Sequence, residues 1–213
     1  MSSKFMHALA GRRVYPITDR HLSGHSHAEQ IAILSQGGAT LIQLREKNYS
    51  PANFYYEMEA ALRVAREIGV ATIINDRVDI ALALNADGVH LGQDDLPPVT
   101  ARRLLGPRAI IGLSTHNLQQ AQLAAHLPVD YVAIGPIFET TTKSSSNPAV
   151  GLENLSRVRE ALDEMPLVAI GGISLENIHL VLNAGADAVA IISDIWTPSD
   201  RSTHKIERLL RYS

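Results

Sequence analysis

QGGATLIQL (residues 36–44) and NAGADAVAII (residues 183–192) share one arrangement: a glycine-bearing turn of the kind that closes a helix, then a short apolar run. A strand of a parallel sheet, covered on both faces, reads as such an almost unbroken apolar segment. Six further runs of this kind occur, so the full set is 13–18, 40–44, 71–75, 87–91, 109–113, 131–135, 167–170 and 188–192. Most end in a polar or glycine-rich cluster. Helical periodicity fills the intervals, at 26–36, 51–68, 78–84, 98–105, 118–126, 152–164, 175–184 and roughly 200–212. Ser50-Pro51 offers an N-cap with proline at the first helical position, and Asn117 and Ser174 read as further N-caps. Gly37, Gly69 and Gly185 sit where helix C-caps are expected. Strand then helix, eight times over, predicts an α/β fold, the TIM (β/α)8 barrel, whose chemistry sits at the strands' C-terminal ends. The competing arrangement is a doubly wound open sheet, and the count of eight favours closure. A single domain over 1–213 is expected, with 1–12 an N-terminal extension.

The 213 residues suffice for one large core. Apolar residues make up 46% and charged residues 19%, an ordinary globular balance. The net charge of −3 argues against nucleic acid or an acidic membrane as main partner, while leaving room for a local basic pocket. The chain has no cysteine, so thiolate metal sites and disulfides are excluded. No apolar stretch is long enough for a membrane span, and Met1 to Arg13 carries no long apolar region of a signal peptide. A cytoplasmic protein is expected, and a homo-oligomer is left open.

The strand ends carry the chemistry-bearing residues. Gln43, Arg45 and Lys47 alternate, and share one face if the second strand runs on through Lys47; otherwise Arg45-Glu46-Lys47 is a surface loop. Arg and Lys together suit an anion site. Asn75 and Asp76 end the third strand, and Asp94 and Asp95 follow the fourth. Carboxylates on two neighbouring loops can hold one Mg²⁺ together with substrate phosphates. Each can equally be a cap: Asp76 ahead of a helix with Asp79 three residues on, Asp94 or Asp95 in the turn before Pro97-Pro98. Gly171-Gly172 and Ile192-Ser193 end strands seven and eight, where barrels often bind phosphate through backbone N–H groups. The long segment 136–151, PIFETTTKSSSNPAVG, offers threonines and Lys143. Ser114 and His116 close the fifth strand. His116 and His90 read as structurally bonded side chains, and His21, His25 and His27 as a solvated loop rather than a three-histidine metal site. The residues alone thus suggest a barrel binding a diphosphate with Mg²⁺ at one end of its site and a monophosphate at the other.

These segments resemble the thiamine-phosphate synthase (thiamine-phosphate pyrophosphorylase) family. The matching pieces are YPITDR (15–20), QLREK (43–47), INDR (74–77), DGVHLGQDD (87–95), IGLSTH (111–116), DYVAIGPIFETTTK (130–143), VAIGGI (168–173) and AIIS (190–193), in family order over nearly the whole chain past Arg13. The resemblance implies that hydroxymethylpyrimidine diphosphate loses diphosphate and is attacked by the ring nitrogen of hydroxyethylthiazole phosphate, or of its carboxylated form. In that family the pyrimidine cation forms before attack. By the same resemblance, Gln43, Arg45, Lys47 and Asn75 contact the pyrimidine diphosphate, and Asp76 and Asp95 hold Mg²⁺. Ser114 lies by the diphosphate and the reacting carbon, and Lys143 pairs with the diphosphate. Thr140 and Thr142 meet the thiazole, and Gly172, Ile192 and Ser193 receive its phosphate. Lys143, Ser114 and Arg45 form the catalytic set. Asp194, where a small residue is common, adds a negative charge near the phosphate corner. Three rivals stand beside this reading: a thiazole tautomerase of the same family, a non-catalytic sensor of thiamine intermediates, and an unrelated phosphosugar barrel enzyme.

Overall fold

The computed structural model describes residues 3–140, 148–196 and 203–212, the side chains of 203–205 apart. Eight strands, β1 (Val14–Pro16), β2 (Leu41–Leu44), β3 (Ala71–Asn75), β4 (Gly88–Leu91), β5 (Ile110–Thr115), β6 (Tyr131–Ile134), β7 (Leu167–Ile170) and β8 (Ala188–Ile191), form one parallel sheet. Neighbours along the chain are neighbours in the sheet, and β1 returns to pair with β8. The circle closes between β1 and β2, where Ile17 bridges Gln43 and the Thr18 N–H donates to the Gln43 carbonyl at 2.9 Å. This is the (β/α)8 barrel expected from the eight runs.

The helices are α1 (Lys4–Leu9), α2 (Arg20–Ser23), α3 (His27–Gln36), α4 (Pro51–Ile68), α5 (Val78–Ala83), α6 (Pro98–Leu105), α7 (Leu118–Ala125), α8 (Gly151–Leu162), α9 (Ile178–Asn183), α10 (Ser193–Trp196) and α11 (Thr203–Leu210). Ser50 and Asn117 cap α4 and α7 as expected, each accepting from a backbone N–H three residues on. Gly69 closes α4 in the left-handed conformation at φ 75°. Ser174 does not cap α9. Its hydroxyl instead accepts from Glu176 N–H, Asp194 takes the Leu175 N–H at 3.0 Å, and the helix starts only at Ile178. Asp194 is therefore tied into the loop after β7. Among the described residues no helix is long and apolar enough to cross a membrane.

One device recurs at the N-terminal face. Asp87, Asp130 and Asp187 each immediately precede an even-numbered strand. Each accepts the backbone N–H of a residue opening the preceding odd strand, Thr72, Ile111 and Leu167, at 2.8 Å in every case. Arg102 and Arg159 back the last two carboxylates at 2.6 and 2.8 Å. The device pins register two strands at a time, on the face where barrels keep stability rather than chemistry.

The helix α1 belongs to the same face. Lys4 donates to the Pro107 and Ala109 carbonyls and pairs with Asp130, and Phe5 is fully buried. The Phe5 ring stacks on Tyr131 (centroids 4.0 Å apart, 24°) and meets Tyr15 edge-on at 5.4 Å. The segment thus closes the base of the barrel with an aromatic cluster, each contact adding to the apolar burial.

Candidate active site

The strand β2 stops at Leu44, so Gln43, Arg45 and Lys47 do not share a strand face. A loop carries the two cations instead. Gln43 points inside the barrel, 2% exposed, and donates through Nε2 to the Tyr15 hydroxyl at 3.1 Å. Arg45 turns back to Asp19 at 3.1 Å, with its Nε buried and unpartnered. Lys47 reaches across to the Asp76 carboxylate. These charges therefore meet the mouth from the loop, and β1 with the segment after it, which carried no site residue in the sequence reading, supplies Tyr15, Thr18 and Asp19 as their supports.

His27, at the start of α3, backs those supports and is not a solvated-loop residue. It is fully buried, with Nδ1 2.7 Å from the Thr18 hydroxyl, which also accepts the Arg45 N–H at 3.2 Å. Its Nε2 has no hydrogen-bond partner and lies 3.8 Å from Glu46. Burial holds His27 below its usual 6.5, outweighing the pull of Glu57, Glu46 and Asp19, while Arg20 pushes the same way as burial. On acidification the unfolded chain then takes up this proton first. Stability should be full above pH 6.5 and fall as pH drops from 6.5 through the lower folded-state value. Thermal melts between pH 7.5 and 5 check this: His27→Gln should show a shallower fall than the parent, and an unchanged slope would deny His27 the role.

Asp76 and Asp95 come together. Asp76 follows β3 in the left-handed conformation, φ 64°, a strained place that Asp tolerates better than most residues. Its N–H donates to the His90 carbonyl at 2.8 Å, fixing the carboxylate at the mouth. It is not a helix cap: the N-cap of α5 is Arg77, which makes no capping bond and pairs with Asp79. Asp95 accepts the Gly92 N–H at 2.6 Å and stands beside Asp76. Burial, then the Asp76 charge, pushes its carboxyl up, against the Gly92 N–H and Lys47. Asp94 is exposed. Among the described residues no group of three or more His, Cys, Asp or Glu could hold a metal, so this is a two-carboxylate site. Asn75 is buried beside it, in register with His90.

Ser114 joins the two halves. Its carbonyl accepts from Gln93 Nε2, on the Asp95 loop, at 2.6 Å, and its hydroxyl is 2.8 Å from His90 Nε2. On its other side Ser114 lines a cleft with His116, Thr140, Gly172, Ile192 and Ser193. His116 is held by its Nδ1 on the Gly135 carbonyl at 2.7 Å, the bonded side chain expected. Gly171 and Gly172 have φ of 103° and 65°, and a Cβ on Gly172 would come within 2.7 Å of Phe138 Cβ, so the backbone there approaches as only glycine can. Thr142 and Lys143 lie outside the described residues. Sequence reasoning missed Tyr15 and Tyr131 as members of the site, and His90 as the contact of Ser114; the tyrosines are ordinary strand residues until closure brings Tyr15 against Gln43 and Tyr131.

The sequence profile described as thiamine monophosphate synthase matches residues 14–195. This chain belongs to the thiamine monophosphate synthase family. It is 45% identical over 188 residues to the thiamine-phosphate synthase of Syntrophomonas wolfei, covering 88% of this chain and 90% of that one. It is 44% identical to the thiamine-phosphate synthase of Chloroflexus aurantiacus, with 88% and 87% covered. Among solved structures it resembles a thiamine phosphate pyrophosphorylase from Pyrococcus furiosus, at 36% identity and a TM-score of 0.82 over 92% of this chain and 93% of the other. The match to this family takes in all eight strands and both halves of the mouth.

Proposed function

We propose that the chain is a thiamine-phosphate synthase, joining hydroxymethylpyrimidine diphosphate to hydroxyethylthiazole phosphate, carboxylated or not, and releasing diphosphate. The observation that carries this is one mouth whose two halves meet at Ser114. Paired carboxylates and two cations stand on one side, and a glycine-lined cleft on the other. The methylene C–O bond breaks, with its electron pair leaving on the diphosphate, and the thiazole nitrogen supplies the new N–C bond. Such a reaction needs charge stabilisation and exclusion of water rather than a protein nucleophile.

Asp76 and Asp95 are the metal ligands in this reading. Two hard oxygens leave the remaining positions to substrate phosphates and water, a donor set suited to Mg²⁺. Bound there, Mg²⁺ would offset part of the diphosphate's charge and make it a better leaving group. Gln43 and Asn75 bind the pyrimidine side, Arg45 and Lys47 the diphosphate, and Ser114 donates toward the diphosphate near the reacting carbon. Thr140 and Thr142 contact the thiazole, while Gly172, Ile192 and Ser193 hold its phosphate. Lys143 balances the departing charge. Lys143→Ala should lower kcat by about a hundredfold, the scale of one lost donor to a developing anion, with thiazole KM nearly unchanged. A change confined to thiazole KM would remove Lys143 from the chemical step.

The reading is tested by offering the purified protein both substrates and following thiamine phosphate by fluorescence after oxidation. In parallel the protein receives a carboxythiazole phosphate tautomer alone. Thiamine phosphate from the first mixture supports the synthase. Isomerisation alone, with no joined product, would make the protein a tautomerase, and inertness in both a sensor. A cytoplasmic site of action, with small molecules as its partners, is part of this proposal.

A further inference from the structure

Five side chains from five strands form a single file through the barrel. Gln43 Nε2 donates to the Tyr15 hydroxyl at 3.1 Å; the Tyr15 and Tyr131 hydroxyls are 3.2 Å apart; the Tyr131 hydroxyl is 2.8 Å from His90 Nδ1; His90 Nε2 is 2.8 Å from Ser114 Oγ. The first four are buried, none more than 6% exposed, and only Ser114 opens on the cleft. A buried polar file is costly unless each member is satisfied, so this one has a definite proton order.

The order runs one way. An amide nitrogen only donates, so the Tyr15 proton turns onward to Tyr131, and the Tyr131 proton onward to His90 Nδ1. A neutral imidazole that accepts at Nδ1 carries its proton on Nε2 and donates it to Ser114. One Ser114 lone pair is then engaged from behind by His90, and its own proton is left for the cleft. We propose that His90, aligned by Tyr131, is a positioning residue that fixes Ser114 as a hydrogen-bond donor toward the leaving anion. In the reversed order Ser114 would spend its proton on His90 and present lone pairs to that anion, which would repel it. Burial raises both tyrosine hydroxyls well above their ordinary value, so both remain donors at working pH. Phe5, stacked on Tyr131 and edge-on to Tyr15, covers the middle of the file from the base of the barrel. The inference rests on the assignment of Ser114 to the diphosphate.

The test uses the full chain. Ring ¹⁵N shifts of the histidines, with His90 assigned by its loss in His90→Gln, should show the proton on Nε2 and a bare, accepting Nδ1. A proton on Nδ1, alone or as well, overturns the proposal without any activity assay. In kinetics, Tyr131→Phe removes one oxygen and keeps the ring stack. It should lower kcat about tenfold, less than a direct donor costs, with both KM values within about threefold. His90→Gln, which can still accept and donate, should keep more kcat than His90→Leu. In a Ser114→Ala background Tyr131→Phe should cost nothing more, because both act through one hydroxyl. Losses that multiply, or that fall on KM, overturn it. If Ser114→Ala leaves kcat intact, the Ser114 assignment falls and takes this proposal with it. If Ser114→Ala is impaired and Tyr131→Phe is not, this proposal alone falls.

Discussion

Asp95→Asn should lower kcat/KM by roughly a hundredfold to a thousandfold, the range for removing one principal stabiliser of developing charge, while Asp94→Asn stays within about twofold, as exposed substitutions do. The two residues are adjacent in sequence and opposite in environment. Asp95 is tucked onto the Gly92 N–H beside Asp76, and Asp94 is exposed. A carboxyl already raised by burial and by a neighbouring carboxylate gains most when a cation arrives. Steady-state rates across a magnesium series for both variants check the point. Asp95→Asn should raise the metal concentration needed for half-maximal rate, whereas equal losses in the two variants would leave the metal assignment without support.

The second large effect is expected from Gly112→Ala. His90, Gly112 and Tyr131 are in register on three adjacent strands. The missing side chain in the middle lets the His90 and Tyr131 rings stack across it, centroids 5.5 Å apart at 22°. A Cβ at Gly112 would lie 2.1 Å from the Tyr131 ring, which is itself pinned by Phe5. Neither ring can move aside without breaking the file to Ser114. Overpacking at this depth should cost about 3 kcal/mol, or a melting temperature lower by roughly 6–12 °C for a domain of this size. Differential scanning calorimetry together with kcat would show both losses at once; a variant as stable and active as the parent would mean that the interior is looser than these contacts imply.

Much of the fold could be read from the chain because parallel strands covered on both faces leave unbroken apolar runs. The turns at 36–39 and 183–187 and the caps at Ser50 and Asn117 are local, and local signals survive in a single sequence. Ser174 failed as a cap for the opposite reason, since Asp194, twenty residues away, takes the neighbouring N–H. The end of β2 was open for the same cause: whether Arg45 and Lys47 extend the strand depends on Asp19 and Asp76, which only closure brings near. The strand-end polar residues were legible because barrel chemistry has a fixed address. Asp87, Asp130 and Asp187 each stand at or just before the start of an apolar run, but they become one device only when the odd strands lie beside them. Tyr15 and Tyr131 could not be told from packing residues, because nothing local marks a phenol that will meet another across the barrel axis.

The central claim is that the acidic pair and the glycine-lined cleft serve one metal-dependent joining reaction. It is tested most directly by following thiamine phosphate and diphosphate together, with both substrates present, as Mg²⁺ is removed by chelation and restored. The account predicts equal amounts of the two products with Mg²⁺, little of either without it, and recovery on restoration. Undiminished product after complete removal of divalent metal, or diphosphate release with no joined product under any condition, would contradict it.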